Sequence, residues 1–308
     1  MGDRLKLLVK IRPYTGELPK GQGYSPVGTA LEFELFAQNG TKSVEIREFG
    51  SYVRRTIRLT EGELLMGATT GAVIRNGAFV PMPTTFDGKG NAAISSRTNS
   101  VYTLLKISRS FPDTTGKWYE GVAGEAAKRL IMSGDDSGSF KGDNSITRAE
   151  FVQILVNGMG LGAEGDSGFN DVPQGAWYAP AVTAAQKYGL ASGYDDGSFK
   201  PNGKISRQEA MLMLYKAAAI CGVDKKFGSY DSSKPEGGIA PPMEISALFY
   251  DADKIAVWAR EAAYWCASNG VMKGENYQIR PLDNVTRAEA AAVMLRFLAT
   301  AGLINYTE

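Results

Sequence analysis

Ile146-Thr147-Arg148-Ala149-Glu150, Ile205-Ser206-Arg207-Gln208-Glu209 and Val285-Thr286-Arg287-Ala288-Glu289 are three versions of one five-residue string, each set between a Gly-rich loop and an apolar stretch. Thr or Ser with Glu three residues on is a capping box, in which side chain and backbone satisfy each other's orphan groups and fix where a helix begins. The string therefore predicts helices that start at Arg148, Arg207 and Arg287. Arginine at the first helical position places a guanidinium fork beside the positive end of the helix dipole and any free amides. That arrangement suits a planar or multidentate anion.

Working outward, each string belongs to a longer repeat. Phe111-Pro112-Asp113, Phe169-Asn170-Asp171 and Phe249-Tyr250-Asp251 lead to Trp118, Trp177 and Trp258, then to an Ala-rich helical run, then to Gly134, Gly193 and Gly274. Arginine to arginine the spacings are 59 and 80 residues, and Phe to Phe they are 58 and 80. The extra length thus precedes the third repeat, in a stretch rich in Gly, Pro, Ser and Lys that reads as a surface loop. Apolar residues follow each start at helical spacing: Phe151, Ile154, Leu155 and Met159; Met211, Leu214, Tyr215 and Ala218; Val293, Leu295, Phe297 and Leu298. A unit of about 60 residues buries too little alone, so the three are expected to share a core.

These residues resemble the S-layer homology family, whose modules carry a Trp-containing first helix, a Gly loop and an Ile-Thr-Arg-Ala-Glu signature, usually in threes. The resemblance covers residues 111 to about 303. It implies an all-α pseudo-threefold bundle of helix-loop-helix repeats. It also implies a non-catalytic anchor that holds a protein to a bacterial cell wall by binding a secondary wall polysaccharide bearing pyruvate ketals. A pyruvate ketal is a carboxylate on a sugar, which matches the anion read from the helix starts. The ligand-binding set implied is Arg148, Arg207, Arg287, Gly134, Gly193, Gly274, Trp118, Trp177 and Trp258. The second repeat departs from the pattern by carrying Gln208 in place of a small residue, and the first by Lys141-Gly142 in place of Lys200-Pro201 and Arg280-Pro281.

Each of these residues also has a purely structural reading. The arginines could pair with Asp113, Asp171 and Asp251 to hold the repeats together. The tryptophans could be core anchors or sugar-stacking platforms. The glycines could permit a left-handed turn or leave room for a ligand against the main chain.

Residues 1–108 read as strands. Leu31-Glu32-Phe33-Glu34-Leu35 alternates, Asn76-Gly77 is a two-residue hairpin turn, and residues 100–107 are rich in β-formers. Turn signals at regular intervals favour an immunoglobulin-like β-sandwich. Tyr24-Ser25-Pro26, residues 52–57, Thr69-Thr70-Gly71 and residues 98–102 resemble the small β-domain that often precedes such repeats in secreted proteins of Gram-positive bacteria. The expected organisation is an α+β chain with a spacer at 1–108, repeats at 109–162 and 163–222, an inserted loop at 223–244 and a third repeat at 245–308.

Composition narrows the function classes. Residues 1–108 carry a net charge of +5 against +1 for the whole chain, so the repeat region is acidic and cannot attract a polyanion by its overall field. Nucleic acid is therefore not an expected partner. The chain has no histidine, which removes Ser-His-Asp, Cys-His and His-ligated zinc chemistry. A paired-carboxylate glycosidase needs two converging acids, and residues 1–108 offer only Asp3, Asp87 and seven glutamates, mostly at alternating strand positions. No catalytic residues, cofactor or metal are expected. Asp135-Asp136-Ser137-Gly138 and Asp195-Asp196-Gly197-Ser198 lack the alternating ligands and closing Glu of a calcium loop and read as turns.

Cys221 and Cys266 are either a disulfide across packed helices or two thiols. Arg4, Lys6, Lys10 and Arg12 interrupt the one apolar run near the start, so no signal peptide is read there and the chain is expected to be a piece of a longer extracellular, wall-associated protein. No membrane insertion is expected. Two rival readings are a surface-layer protein whose repeats contact copies of themselves, and the C-terminal anchor of a larger surface enzyme or adhesin.

Overall fold

A computed structural model describes residues 5–20, 23–224 and 245–308. The strands are β1 (Lys6–Pro13), β2 (Tyr24–Asn39), β3 (Lys42–Glu45), β4 (Glu48–Arg58), β5 (Thr70–Arg75), β6 (Ala78–Met82), β7 (Thr84–Phe86), β8 (Asn91–Thr98) and β9 (Val101–Ile107). They form two antiparallel sheets. The larger runs β1-β2-β9-β5-β6 with β3 added on β2, and the smaller runs β4-β8-β7. Val27, Phe33, Val73, Tyr102 and Leu104 of the larger sheet share one apolar cluster with Ala92 and Ile94 of β8. The expected hairpin forms, with Arg75 opposite Ala78 and left-handed φ values of 49° and 72° at Asn76 and Gly77. The alternation in β2 also holds: Phe33 enters the core while Glu32 and Glu34 meet Arg12 of β1 at 3.2 and 2.9 Å. At the far edge, β1 exposes every residue, Leu7, Val9 and Ile11 included.

The chain divides into two compact units. The first comprises residues 1–140, 157–161 and 303–305, and so takes in α1 (Glu61–Met66) and α2 (Glu120–Lys128) with the sheets. Polar ties explain the grouping. Thr69 Oγ1 donates to the Lys128 carbonyl, Tyr52 OH to that of Met159, and Arg129 Nη2 to that of Asn305, whose side chain accepts the Phe86 amide. The second unit comprises residues 141–156, 162–302 and 306–308. It contains the start of α3 (Arg148–Met159), then α4 (Ala179–Lys187), α5 (Arg207–Cys221), α6 (Arg260–Ser268) and α7 (Arg287–Thr300), with 3-10 turns at Ile245–Ala247, Ala252–Lys254 and Val257–Ala259. Most of the inserted loop expected at 223–244 lies outside the described residues.

The expected pairing of an immunoglobulin-like sandwich with an all-α bundle is corrected on both counts. The sheets divide six strands against three, unlike the two comparable sheets of an immunoglobulin domain. The repeats are not all-α: extended residues ahead of the second helices pair across repeats as β-bridges, Ser145 with Thr286, Thr147 with Lys204 and Ser206 with Asn284. The cause lies in the capping box. Its N-cap residue must be extended, as Ser206 (φ −78°, ψ 158°) and Thr286 (φ −80°, ψ 163°) are, which turns backbone edges toward the neighbouring repeat. These edges close on each other. Ile146 N–H donates to Val285 O, Val285 N–H to Ile205 O, and Ile205 N–H to Ile146 O, at 3.0, 3.0 and 3.3 Å.

Candidate functional site

The three helix starts fall where the sequence places them, and each carries the capping box. Thr147, Ser206 and Thr286 accept the amides of Glu150, Glu209 and Glu289, whose Oε2 atoms take back the N-cap amides. The first two helical amides are not free for a ligand, because they donate to the loop of another repeat. Arg148 and Ala149 N–H reach Gly203 and Pro201 O, Arg207 and Gln208 N–H reach Asp283 and Pro281 O, and Arg287 and Ala288 N–H reach Asn144 and Gly142 O. The orphan donors of a helix terminus are therefore all used.

The arginines follow the same rule. Arg148 Nε donates to Phe199 O at 3.1 Å, Nη2 to Ser192 O at 2.8 Å and Nη1 to Glu209 Oε1 at 3.4 Å. Arg207 repeats the pattern on Ile279 O, Lys273 O and Glu289 Oε1 at 2.8, 2.9 and 2.9 Å. Arg287 Nη1 lies 3.9 Å from Glu150 Oε1. Each glutamate of the string thus has two duties: Oε2 caps its own helix while Oε1 meets the arginine of another repeat. Burial lowers the affinity of Arg207 for its proton, Glu289 offsetting part of the effect. Burial raises Glu209, yet the bonds from Ser206 and Tyr194 together with Arg148 leave it below the usual carboxylate range.

The aspartates that were candidates to pair these arginines do something else. Asp171 takes the amides of Phe199 and Lys200 on its two oxygens, Asp251 those of Ile279 and Arg280, and Asp113 that of Phe140. Asp171 and Asp251 thereby clamp a residue with a strained backbone. Lys141, Lys200 and Arg280 have left-handed φ values of 54°, 58° and 52°, a conformation costly for a side chain with a Cβ. The glycines answer to packing and not to a left-handed turn. A Cβ on Gly134, Gly193 or Gly274 would stand 3.0, 2.5 or 2.3 Å from the ring of Phe111, Phe169 or Phe249, and close to a loop carbonyl as well.

The tryptophans are the exposed members of the set. Trp118, Trp177 and Trp258 are 62%, 63% and 52% exposed, and the first two stand edge-on against Tyr119 and Tyr178. That exposure rules out the core-anchor reading, while the fourth tryptophan, Trp265, does fill a core.

The junctions are not equal. At the first, Tyr194 OH also donates to Glu209 Oε1 at 2.9 Å, and Lys200 Nζ sits 3.9 Å above the Tyr194 ring. At the second, Arg280 Nη2 joins Arg207 on Glu289 Oε1 at 3.0 Å. The arginine side chains at Arg207, Arg148 and Arg287 are 3%, 10% and 19% exposed, so the third offers most to solvent. Gln208, the residue that breaks the repeat pattern, is buried and accepts the Ala256 amide at 3.0 Å. Sequence reading missed the second duty of the glutamates, because no local spacing marks a partner 61 or 82 residues away, and it missed Tyr194 and Arg280, which lie 15 and 9 residues from their glutamates across a loop.

The remaining candidates are structural. Asp135 and Asp196 fold onto the amides of Ser137, Ser139 and Ser198 as turn residues, and among the described residues no acidic or thiol cluster is arranged to hold a metal. Cys221 and Cys266 are thiols not joined in a disulfide, and burial pushes the Cys266 thiol up. Among the described residues no helix is long and apolar enough to cross a membrane.

Comparison with known proteins agrees with the repeat. The S-layer homology domain pattern matches residues 110–152, 168–211 and 248–291. The chain is 31% identical over 208 residues to an amylopullulanase of Thermoanaerobacterium thermosulfurigenes, covering 67% of this chain and 10% of that protein. It is 30% identical over 277 residues to the exoglucanase XynX of Acetivibrio thermocellus (84% and 24%), and 31% identical over 184 residues to a surface-layer 125 kDa protein of Lysinibacillus sphaericus (57% and 14%). A match over 84% of the chain is longer than the repeats alone supply, so it reaches into the sheets. The chain spans a quarter or less of the length of these relatives. S-layer homology domains are non-catalytic modules that anchor surface proteins to the cell wall. Three such domains stand in tandem here, and through them the chain belongs to the S-layer homology family.

Proposed function

We propose that this chain anchors a larger extracellular protein to the wall by binding an acidic secondary wall polysaccharide, with pyruvate ketals as the charged group. The observation that carries the reading is the exposure of Trp118, Trp177 and Trp258, three indoles at one position of the repeat that pack into no core. An aromatic face held in water suits the apolar face of a pyranose. The arginine clusters supply the complementary charge. Of Arg148, Arg207 and Arg287, the last has the most exposed side chain and so the readiest access to an anion. Affinity then comes from a few charge-assisted bonds repeated along a polymer. The glycines Gly134, Gly193 and Gly274 support this indirectly, by letting a Phe ring and a loop close up beneath the site.

In this reading the chain is the anchor and not the catalyst: the enzyme names among its relatives belong to proteins of which it covers a quarter or less. The deciding experiment is calorimetric binding of the whole chain to purified wall polysaccharide, before and after mild acid removal of pyruvate, with Arg287→Ala and Trp258→Ala alongside. Binding that disappears with the ketal and weakens in both variants supports the reading. Equal or absent binding throughout makes the arginines struts alone and gives first place to a self-assembling surface-layer protein.

A further inference from the structure

The third repeat carries a cation that its sisters lack. Lys273 stands where Ser133 and Ser192 stand, immediately before the loop glycine. Its carbonyl accepts Arg207 Nη2, so its backbone borders the Arg207–Glu289 cluster. Its ammonium bonds Glu308 Oε2, while Arg296 donates to Glu308 Oε1 through both Nε, at 3.1 Å, and Nη2. Donors from two cationic side chains thus hold both oxygens of a single carboxylate. Arg296 lies seven residues beyond Glu289 on α7, on the same face and about 10 Å along the axis. It is mostly buried, at 17% side-chain exposure, whereas Lys273 and Glu308 are 58% and 37% exposed.

A contribution to stability explains this group poorly, since ion pairs exposed to this degree contribute about 0–1 kcal/mol. The geometry explains it better as recognition. Arg296 projects from the helix and the backbone of Lys273 is held through its carbonyl, so both cations start from fixed backbone positions within reach of one carboxylate. Without an anion they repel each other. Glu308 is the most replaceable partner, being an exposed residue beyond α7 whose carboxylate is held by these two cations. The hydrogen bond from Arg296 and then that from Lys273 hold its carboxyl down to about 2, so the group stays ionised.

We infer that Lys273 and Arg296 form a second carboxylate-binding site, one that Glu308 fills in cis and that the carboxylate of an acidic sugar takes over by displacement. The part concerning sugar rests on the polysaccharide reading above. The site itself does not.

The test uses the whole chain, sodium pyruvate as the probe, and the Nε–Hε signal of Arg296 in nuclear magnetic resonance as the readout. Glu308→Gln should respond at about one tenth of the pyruvate concentration the unaltered chain needs, because a tethered competitor has been removed. Adding Lys273→Gln to Glu308→Gln should abolish that gain, read on the same Arg296 signal. Lys273→Gln alone, which leaves α7 untouched, guards against misfolding of the double variant. Identical titrations of the unaltered chain and Glu308→Gln would overturn the inference, as would a gain that survives Lys273→Gln. In a parallel arm, Glu308→Gln should bind purified acidic wall polymer more tightly than the unaltered chain does. If neither binds polymer while pyruvate still selects Glu308→Gln, the polysaccharide reading fails and the anion site stands. If polymer binds but pyruvate does not discriminate, the anion site alone fails.

Discussion

The second helices of the repeats, α3, α5 and α7, begin behind a Thr or Ser cap, with their first amides bonded to another repeat and their first arginine facing a glutamate of another repeat, carbonyls joining in at Arg148 and Arg207. The first helices, α2, α4 and α6, begin behind Tyr119, Tyr178 and Ala259 with no side-chain cap at all, and a largely exposed tryptophan immediately precedes each of these residues. One kind of start is locked and dry; the other is open and wet. The difference teaches that stability and recognition have been divided between the two ends of one repeat. The residues whose charge suggests binding do most of the holding, and the residues whose bulk suggests a core face the solvent.

That contrast can be broken by substitution. Arg207→Ala should have the largest effect, about 3–5 kcal/mol of unfolding free energy, because it strips a partner from a buried carbonyl, from a part-buried one and from Glu289. Chemical denaturation of the whole chain measures it, and a loss as small as that of a surface change would end the division proposed here. Gly193→Ala comes next at about 1–3 kcal/mol, since the added methyl meets the Phe169 ring at 2.5 Å and the Ser198 carbonyl at 2.7 Å. Ser206→Ala removes one cap and should cost about 1 kcal/mol in the same assay. Trp177→Ala should shift stability by no more than about 0.5 kcal/mol and yet weaken polymer binding several-fold. A large stability loss at Trp177 would return the tryptophans to a structural role.

The smallest effect is a titration. The carboxyl of Glu308 is depressed to about 2, so its bonds to Arg296 and Lys273 are fully present above the ordinary glutamate value, near 4.3, and are lost as pH falls toward 2. The Arg296 Nε–Hε signal should be flat from neutral pH down to about 4 and move below it.

What the sequence discloses follows the range of the interaction. A capping box is complete within four residues, so all three helix starts could be placed from spacing, as could the Asn76-Gly77 hairpin. The partners of Arg148 lie 44 to 61 residues away and those of Arg207 66 to 82 away, and nothing local distinguishes a carbonyl acceptor from water or ligand. Asp171 and Asp251 were visible as acids near each repeat's arginine. Their true work, holding Lys200 and Arg280 in a left-handed conformation, depends on a backbone angle that residue type argues against. The loop glycines mislead for a related reason: glycine usually signals a special angle, while here it signals a ring pressed against the main chain. The all-α expectation failed because bridges of one or two residues leave no periodic trace.

The three hydrogen bonds that run from Ile146 to Val285, from Val285 to Ile205 and from Ile205 back to Ile146 set a limit on how such a chain can evolve. A stack of repeats with open ends lengthens whenever one unit is duplicated, each new copy resting on the last. A closed circuit has no end on which to rest a copy. A fourth unit would find each donor in the circuit already matched to an acceptor, and a chain cut to two would leave one of each exposed. Copy number is thereby fixed by the geometry of three peptide groups, and duplication can add to this anchor only in whole sets of three.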